Sequence, residues 1–161
     1  MKSKTYSHRT PQVLNKLLFM LCLPLCLCAQ QNKLVLSQPE PVSVKRGATI
    51  VAHIKAVTLP GFHVNSDQPK EPNLIPIKLT WTDGPLSSKS ISYPSPETIQ
   101  LGSDSLSVFT GDIDIKTTFN APANASTGSA VMTGKLHYQA CNNQMCFRPA
   151  TLEVKLPVTI E

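Results

Sequence analysis

The chain has 161 residues, with 15 lysines and arginines, 10 aspartates and glutamates and a formal net charge of +5. Four of the basic residues and none of the acidic ones lie in residues 1–29, so residues 30–161 hold 11 basic residues against 10 acidic ones. The excess of positive charge therefore belongs mostly to the amino-terminal segment, and it gives no support for a nucleic-acid partner.

The amino-terminal segment has the layout of a secretory signal. Four basic residues precede an almost unbroken apolar run over 17–28, and Ala29 is followed by two glutamines. This order is typical of a cleaved signal, and the run is shorter than the roughly 20 apolar residues that span a bilayer. We predict an exported protein with a signal peptide over 1–29 and one domain over 30–161. A retained anchor, or a lipid on Cys26 or Cys28, is the alternative.

Beyond residue 33, apolar residues alternate with polar ones in short runs that are separated by Pro, Gly and Ser. A period of two predicts strands, and helical periodicity is absent. The predicted strands, in chain order, are 34–36, 42–45, 48–58, 77–81, 90–93, 107–109, 113–119, 130–139 and 151–160. They predict an all-β, immunoglobulin-like antiparallel sandwich, with a small barrel as the alternative. In this register, Leu136 and Leu156 are expected to be buried.

Two cysteines remain after the signal, Cys141 and Cys146, on the connection between the last two predicted strands. Closing so short a loop stabilises a domain by about 2 kcal/mol, against about 4 kcal/mol for a bridge across half of this domain. A short polar loop is better suited to opening and closing in contact with water, as thiol–disulfide exchange requires. The pair therefore favours a redox role, and a structural disulfide is the alternative.

The two cysteines differ in their predicted surroundings. Arg148 lies two positions after Cys146, on the same side of an extended chain, where its charge would lower the pKa of the thiol. Cys141 ends a strand, whereas Cys146 leaves the polar loop, so we predict Cys146 as the cysteine that links to partners. His137 is roughly 13 Å from Cys141 along a strand and is expected at the surface.

The segment Tyr138-Gln139-Ala140-Cys141, with Cys146 and then Pro149, resembles the amino-terminal periplasmic domain of the thiol:disulfide interchange protein DsbD. Residues 61–66 followed by 74–76 are also similar to that family, and the likeness spans roughly residues 33–161. The resemblance implies an immunoglobulin-like fold and a thiol:disulfide oxidoreductase without a cofactor or metal, in which Cys141 and Cys146 carry electrons in the periplasm.

The same resemblance implies partners and supporting residues. A membrane thiol reductase with a thioredoxin-like domain would supply reductant. Periplasmic disulfide isomerases or thioredoxin-like proteins of cytochrome maturation would receive it. A cap loop at about 102–109 would shield the pair, with Asp104 and Phe109 as candidates and with Tyr138 and Arg148 supporting the cysteines. We expect a monomeric, stand-alone carrier.

Two other classes of function remain open. Cys141, Cys146, Met145 and His137 are ligands of the kind that Cu(I) accepts, so a periplasmic copper-binding module is one alternative. A structural or adhesive sandwich with an inert disulfide is the other. A hydrolytic enzyme has no support, because no Ser/His/Asp set, paired carboxylates or glycine-rich phosphate loop can be recognised.

Overall fold

The domain is built from twelve strands, described here over residues 32–161 in a computed structural model. The predicted signal peptide lies outside the described residues. The first six strands are β1 (Leu34–Leu36), β2 (Val42–Val44), β3 (Thr49–Thr58), β4 (His63–Asn65), β5 (Lys78–Trp81) and β6 (Ser87–Ser92). The other six are β7 (Glu97–Leu101), β8 (Asp104–Phe109), β9 (Asp112–Asn120), β10 (Gly128–Tyr138), β11 (Ala140–Cys141) and β12 (Ala150–Ile160).

The strands form three four-stranded sheets, in the orders β1-β3-β9-β6, β2-β12-β10-β5 and β11-β4-β8-β7. Neighbouring strands are antiparallel, as predicted, except that β2 runs parallel to β12 and pairs Val42 with Val158. The first two sheets share two clusters of buried side chains, which makes the immunoglobulin-like β-sandwich. No helix in the described part of the chain is long and apolar enough to cross a membrane.

Alternation along the long strands explains the core. In β3, Ala52, Ile54 and Ala56 are buried while the residues between them face outward. Leu136 in β10 and Leu156 in β12 are fully buried, which confirms the predicted register. Burial of these apolar surfaces is the main favourable contribution to folding.

One indole connects the two sheets of the sandwich. Trp81 of β5 packs edge-on against Phe119 of β9, with ring centroids 5.0 Å apart, and its Nε1 donates a hydrogen bond to Thr117 Oγ1 at 3.0 Å. Gly134 makes room for this indole, because a Cβ atom there would lie 2.9 Å from Trp81 Cε3 and 3.0 Å from the carbonyl oxygen of Thr80. The absence of a side chain at position 134 therefore allows β10 and β5 to pack closely.

The third sheet was only partly predicted, and it carries the cysteines. β4 contains three consecutive buried residues, so it lacks the alternation that marks a half-buried strand. β11 has only two residues and pairs with β4. Both cysteines were predicted on the connection between the last two strands, and the structure instead places Cys141 in β11, where it is buried.

Candidate redox site

Cys141 and Cys146 form a disulfide at the end of a tight hairpin, with their Cα atoms 3.9 Å apart. The amide of Phe147 donates to the carbonyl oxygen of Ala140 at 2.8 Å, and the amide of Asn142 donates to that of Met145 at 2.9 Å. The cysteines are thus a directly opposed pair without hydrogen bonds between their own backbones, the arrangement in which facing side chains come closest. The backbone pairing itself therefore brings the two sulfur atoms together.

Asn142 closes the turn of this hairpin. Its Oδ1 accepts hydrogen bonds from the amides of Gln144, at 2.9 Å, and Met145, at 2.8 Å. An asparagine side chain that bonds its own backbone two residues on stabilises a turn without help from the rest of the fold. These bonds do not involve the sulfur atoms, so they are available to both the oxidised and the reduced hairpin.

The two cysteines of this disulfide differ sharply in exposure. Cys141 is 1% exposed, whereas Cys146 is exposed at the surface next to Met145, whose side chain is 57% exposed. Arg148, two residues after Cys146, is also exposed. The Cys146 residue is therefore open to solvent, whereas the Cys141 residue is not.

Gln139 ties the hairpin to the sandwich. Its Nε2 donates to the carbonyl oxygen of Phe147 at 3.1 Å, and its Oε1 accepts from the amide of Ile75 at 3.3 Å and from Asn65 Nδ2 at 3.2 Å. Asn65 Nδ2 also donates to the carbonyl oxygen of Ile75 at 3.0 Å. The side chain of Gln139, the residue just before β11, is thus bonded both to Phe147, which follows Cys146, and to the long loop before β5.

Two aromatic rings and a lysine lie beside Cys146. The rings of Phe62 and Phe147 are tilted against each other, with centroids 5.6 Å apart. Lys33 Nζ lies 4.9 Å from the centroid of Phe62 and 5.7 Å from that of Phe147, within the range of a cation–π interaction. Sequence reasoning did not identify these three residues, because two of them come from segments far from the cysteines along the chain.

His63 was also missed as a site residue, although it lies in the 61–66 segment that carried part of the family resemblance. The pairing of β11 with β4 places it directly opposite Cys141. It is 3% exposed, and burial lowers the pKa of its imidazole from the ordinary value of 6.5. It borders a surface groove of about 570 Å³, between the turn before β4 and the ends of β7 and β8, which Asn143 of the cysteine loop also lines.

The remaining predicted residues lie in different environments. Tyr138 is buried at the end of β10, and burial raises the pKa of its hydroxyl, although hydrogen bonding to the backbone of Leu34 and Lys33 lowers it in part. Asp104 is exposed at the start of β8. Phe109 is 3% exposed and stacks on Tyr93, with centroids 6.5 Å apart, so its ring is part of the core.

The ligand set considered for copper is not assembled. His137 lies on β10, where its Nδ1 is 3.0 Å from Thr151 Oγ1 on β12, and the two cysteines are bonded to each other. Within residues 32–161, no group of three or more His, Cys, Asp or Glu side chains is arranged to hold a metal ion. The geometry gives this alternative no specific support.

These features define a class of protein, the immunoglobulin-like β-sandwich with a surface disulfide in which one cysteine is exposed and the other is buried. Comparison of the sequence with known families then gives the particular family. Residues 30–157 match the family described as thiol:disulfide interchange protein DsbD, N-terminal, and the chain belongs to that family. No curated protein sequence matches the chain closely enough to be counted as a relative.

One solved structure agrees with the fold. The amino-terminal periplasmic domain of ScsB from Proteus mirabilis superposes with a TM-score of 0.52 at 14% identity, over 70% of this chain and 42% of that one. This chain thus spans less than half of the ScsB chain that it matches. The DsbD amino-terminal domain of Neisseria meningitidis, in the reduced form, has a TM-score of 0.48 at 14% identity, over 71% of this chain and 82% of that one.

Proposed function

We propose that this protein is an exported thiol–disulfide exchange protein, in which residues 1–29 are a signal peptide and residues 30–161 are a periplasmic electron carrier. The observation that carries the proposal is the unequal exposure of the two cysteines, with the Cys141 side buried and the Cys146 side open. A disulfide that served only to stabilise the domain would not need an exposed sulfur beside a polar turn. Membership of the DsbD amino-terminal family supports the same chemistry.

The reaction follows from this geometry. In the reduced domain, the Cys146 thiolate attacks one sulfur of a partner disulfide, and the other partner sulfur leaves as a thiolate. Cys141 then loses its proton and attacks the Cys146 sulfur, which forms the intramolecular bond and releases the partner as a dithiol. Two electrons pass to the partner, and the reverse sequence reduces this domain. Arg148 stabilises the Cys146 thiolate before the first step and when the reverse sequence releases it.

We propose partners of two kinds, each with a thioredoxin-like site. A membrane thiol reductase with a thioredoxin-like domain supplies the two electrons, and a periplasmic disulfide isomerase or a thioredoxin-like protein of cytochrome maturation receives them. The exposed residues Cys146 and Met145 adjoin Phe147, whose ring packs against Phe62, and together they offer an apolar contact surface for such a site. The domain acts as a monomer.

Single-cysteine variants test this proposal. A thioredoxin-like protein that keeps only its attacking cysteine, activated as an aromatic mixed disulfide, is incubated with reduced Cys141→Ser and Cys146→Ser. We expect Cys141→Ser to accumulate a covalent adduct, visible on non-reducing gels, and Cys146→Ser to form much less, because Cys141 is buried. The wild-type domain should release the partner again as Cys141 displaces it.

Two outcomes would contradict the proposal. The opposite trapping pattern would reverse the roles of the two cysteines. If neither variant formed an adduct and thioredoxin-like reductants did not open the wild-type disulfide, the bond would be structural.

A further inference from the structure

The second step of the exchange needs a base. Cys141 is 1% exposed, and a thiol that is removed from water ionises less readily than a free thiol. Cys146 is exposed and is followed two residues later by exposed Arg148, whereas Cys141 is buried. Some group must therefore take the Cys141 proton while its sulfur attacks Cys146.

The pairing of three short segments places the imidazole of His63 opposite Cys141. His63 on β4 is directly opposite Cys141 on β11, and Cys141 is directly opposite Cys146 across the hairpin. Residues that are directly opposite in antiparallel strands project on the same face, with Cβ atoms generally about 4.5–5.5 Å apart. His63, Cys141 and Cys146 thus form a row of three across one face of the small sheet, with Cys141 in the middle.

The imidazole is in a state that suits a base. His63 Nε2 is buried and has no hydrogen-bond partner within the described residues. A buried ring nitrogen without a partner is costly, and it is retained at functional sites more readily than in an ordinary core. Burial also lowers the pKa of this imidazole, which keeps it neutral, and hence able to accept a proton, at pH 7.

The charged surroundings of His63 are sparse. The other residues that line its groove are uncharged, and they include Thr58 and Thr110 on either side of the sheet. Thr110 in this lining donates a hydrogen bond from its Oγ1 to the carboxylate of Glu97 at 2.8 Å. The titratable group that faces His63 across the strand pair is Cys141 itself.

We propose that His63 is the base that deprotonates the Cys141 thiol when Cys141 attacks the Cys146 sulfur, an assignment that rests on the exchange reaction proposed above. The Cys141–Cys146 bond forms, the bond from Cys146 to the partner breaks, and the partner sulfur leaves with the electron pair. The proton that Cys141 loses moves to the imidazole and then to the departing thiolate or to water. In the reverse direction, the neutral imidazole takes a proton from the incoming partner thiol or from water and passes it to Cys141 as Cys141 leaves.

An aromatic disulfide reagent separates the two steps, because the reduced protein releases one coloured thiolate when Cys146 attacks and a second when Cys141 displaces the first adduct. We expect His63→Gln to slow the second release about 100-fold at neutral pH and to leave the first release unchanged. The wild-type second step should stay fast until His63 is protonated, below about pH 6.5, whereas the variant should accelerate steadily with pH. His137→Gln is the matched control and should match the wild type in both steps.

A second release in His63→Gln with the wild-type rate and pH profile would overturn the assignment. Nitrogen-15 spectra of the wild-type protein give a test that does not depend on the folding of that variant, and an imidazolium at His63 at pH 7 would equally overturn the assignment. The thioredoxin-like partner separates the two proposals. If the wild-type domain fails to exchange with such partners but His63→Gln still slows the second release, the proposed function is wrong and the role of His63 stands.

Discussion

Gln139 donates a hydrogen bond from its Nε2 to the carbonyl oxygen of Phe147 at 3.1 Å, so the residues just outside the two cysteines are joined independently of the disulfide. The same side chain accepts bonds from the amide of Ile75 and from Asn65 Nδ2. The frame of the site therefore has its own polar support, and the sulfur–sulfur bond can break without releasing the strands that carry it.

The first prediction concerns this support. Gln139→Ala leaves the Ile75 amide and the Phe147 carbonyl without their partner, and it should lower the free energy of unfolding by about 1–3 kcal/mol. Urea denaturation of the oxidised protein measures the change. Gln144→Ala is the matched control, because that side chain is exposed in the cysteine loop, and it should change stability by less than about 0.5 kcal/mol. Equal effects of the two substitutions would show that the Gln139 contacts contribute nothing.

A second prediction follows from the turn. Asn142→Ala removes the acceptor of the Gln144 and Met145 amides, so the reduced loop can spread while the oxidised loop stays closed by its disulfide. Two bonds of about 0.5–1.5 kcal/mol each imply that the disulfide becomes easier to reduce, by roughly tenfold in its equilibrium with glutathione. The fraction oxidised at fixed glutathione ratios, read by thiol alkylation, measures this. Asn143→Ala, at an exposed neighbouring asparagine, should leave the equilibrium near that of the wild type.

The core gives a third prediction. Leu136 is fully buried in β10 and lies beside Leu152 and Leu79 on the adjacent strands. Leu136→Ala should cost roughly 2–5 kcal/mol of stability through lost contacts and a residual cavity. Val131→Ala, on an exposed position of the same strand, should cost far less. A thermal or urea midpoint for Leu136→Ala equal to that for Val131→Ala would contradict the register of β10.

His63 makes stability depend on pH, which is the fourth prediction. Its folded pKa lies below the unfolded value, so the unfolded chain takes up the proton first as pH falls. The free energy of unfolding should therefore decline as pH drops below about 6.5 and stop declining from this cause once the folded pKa is passed. Urea unfolding at about pH 7.5 and about pH 5.5 should show a smaller decline for His63→Gln than for the wild type. Identical declines would show that His63 is protonated equally in both states.

The sandwich could be predicted from the sequence because its long strands bury one face each. Along β3 and β12 the buried residues recur at every second position, so the period of two was visible without any partner strand. β4 and β7 were missed for opposite reasons, since β4 is buried throughout and β7 is mostly exposed. The parallel pairing of β2 with β12 joins residues far apart in the sequence, so no local pattern could predict it.

The cysteine pair could be predicted from its spacing and polar loop, but its surroundings could not. Lys33, Phe62 and His63 reach the site through the register of β4 against β11 and through the turn before β4. Burial of Cys141 depends on the same pairing. The family resemblance made Phe109 a candidate cap residue, and the pairing of β8 with β4, which sets Phe109 opposite Val64, places it in the core.

β12 occupies the interior of its sheet, between β2 from the beginning of the domain and β10 just before the cysteine hairpin. In a chain that emerges amino end first, from a ribosome or through a translocation channel, β10 can pair with β12 from Ala150 onward, but β2 has no partner in this sheet until residues 158–160 have emerged. Cys141 and Cys146 are only five positions apart, so they can meet while the chain is still emerging. The hairpin can then take its place in the fold with its disulfide already formed.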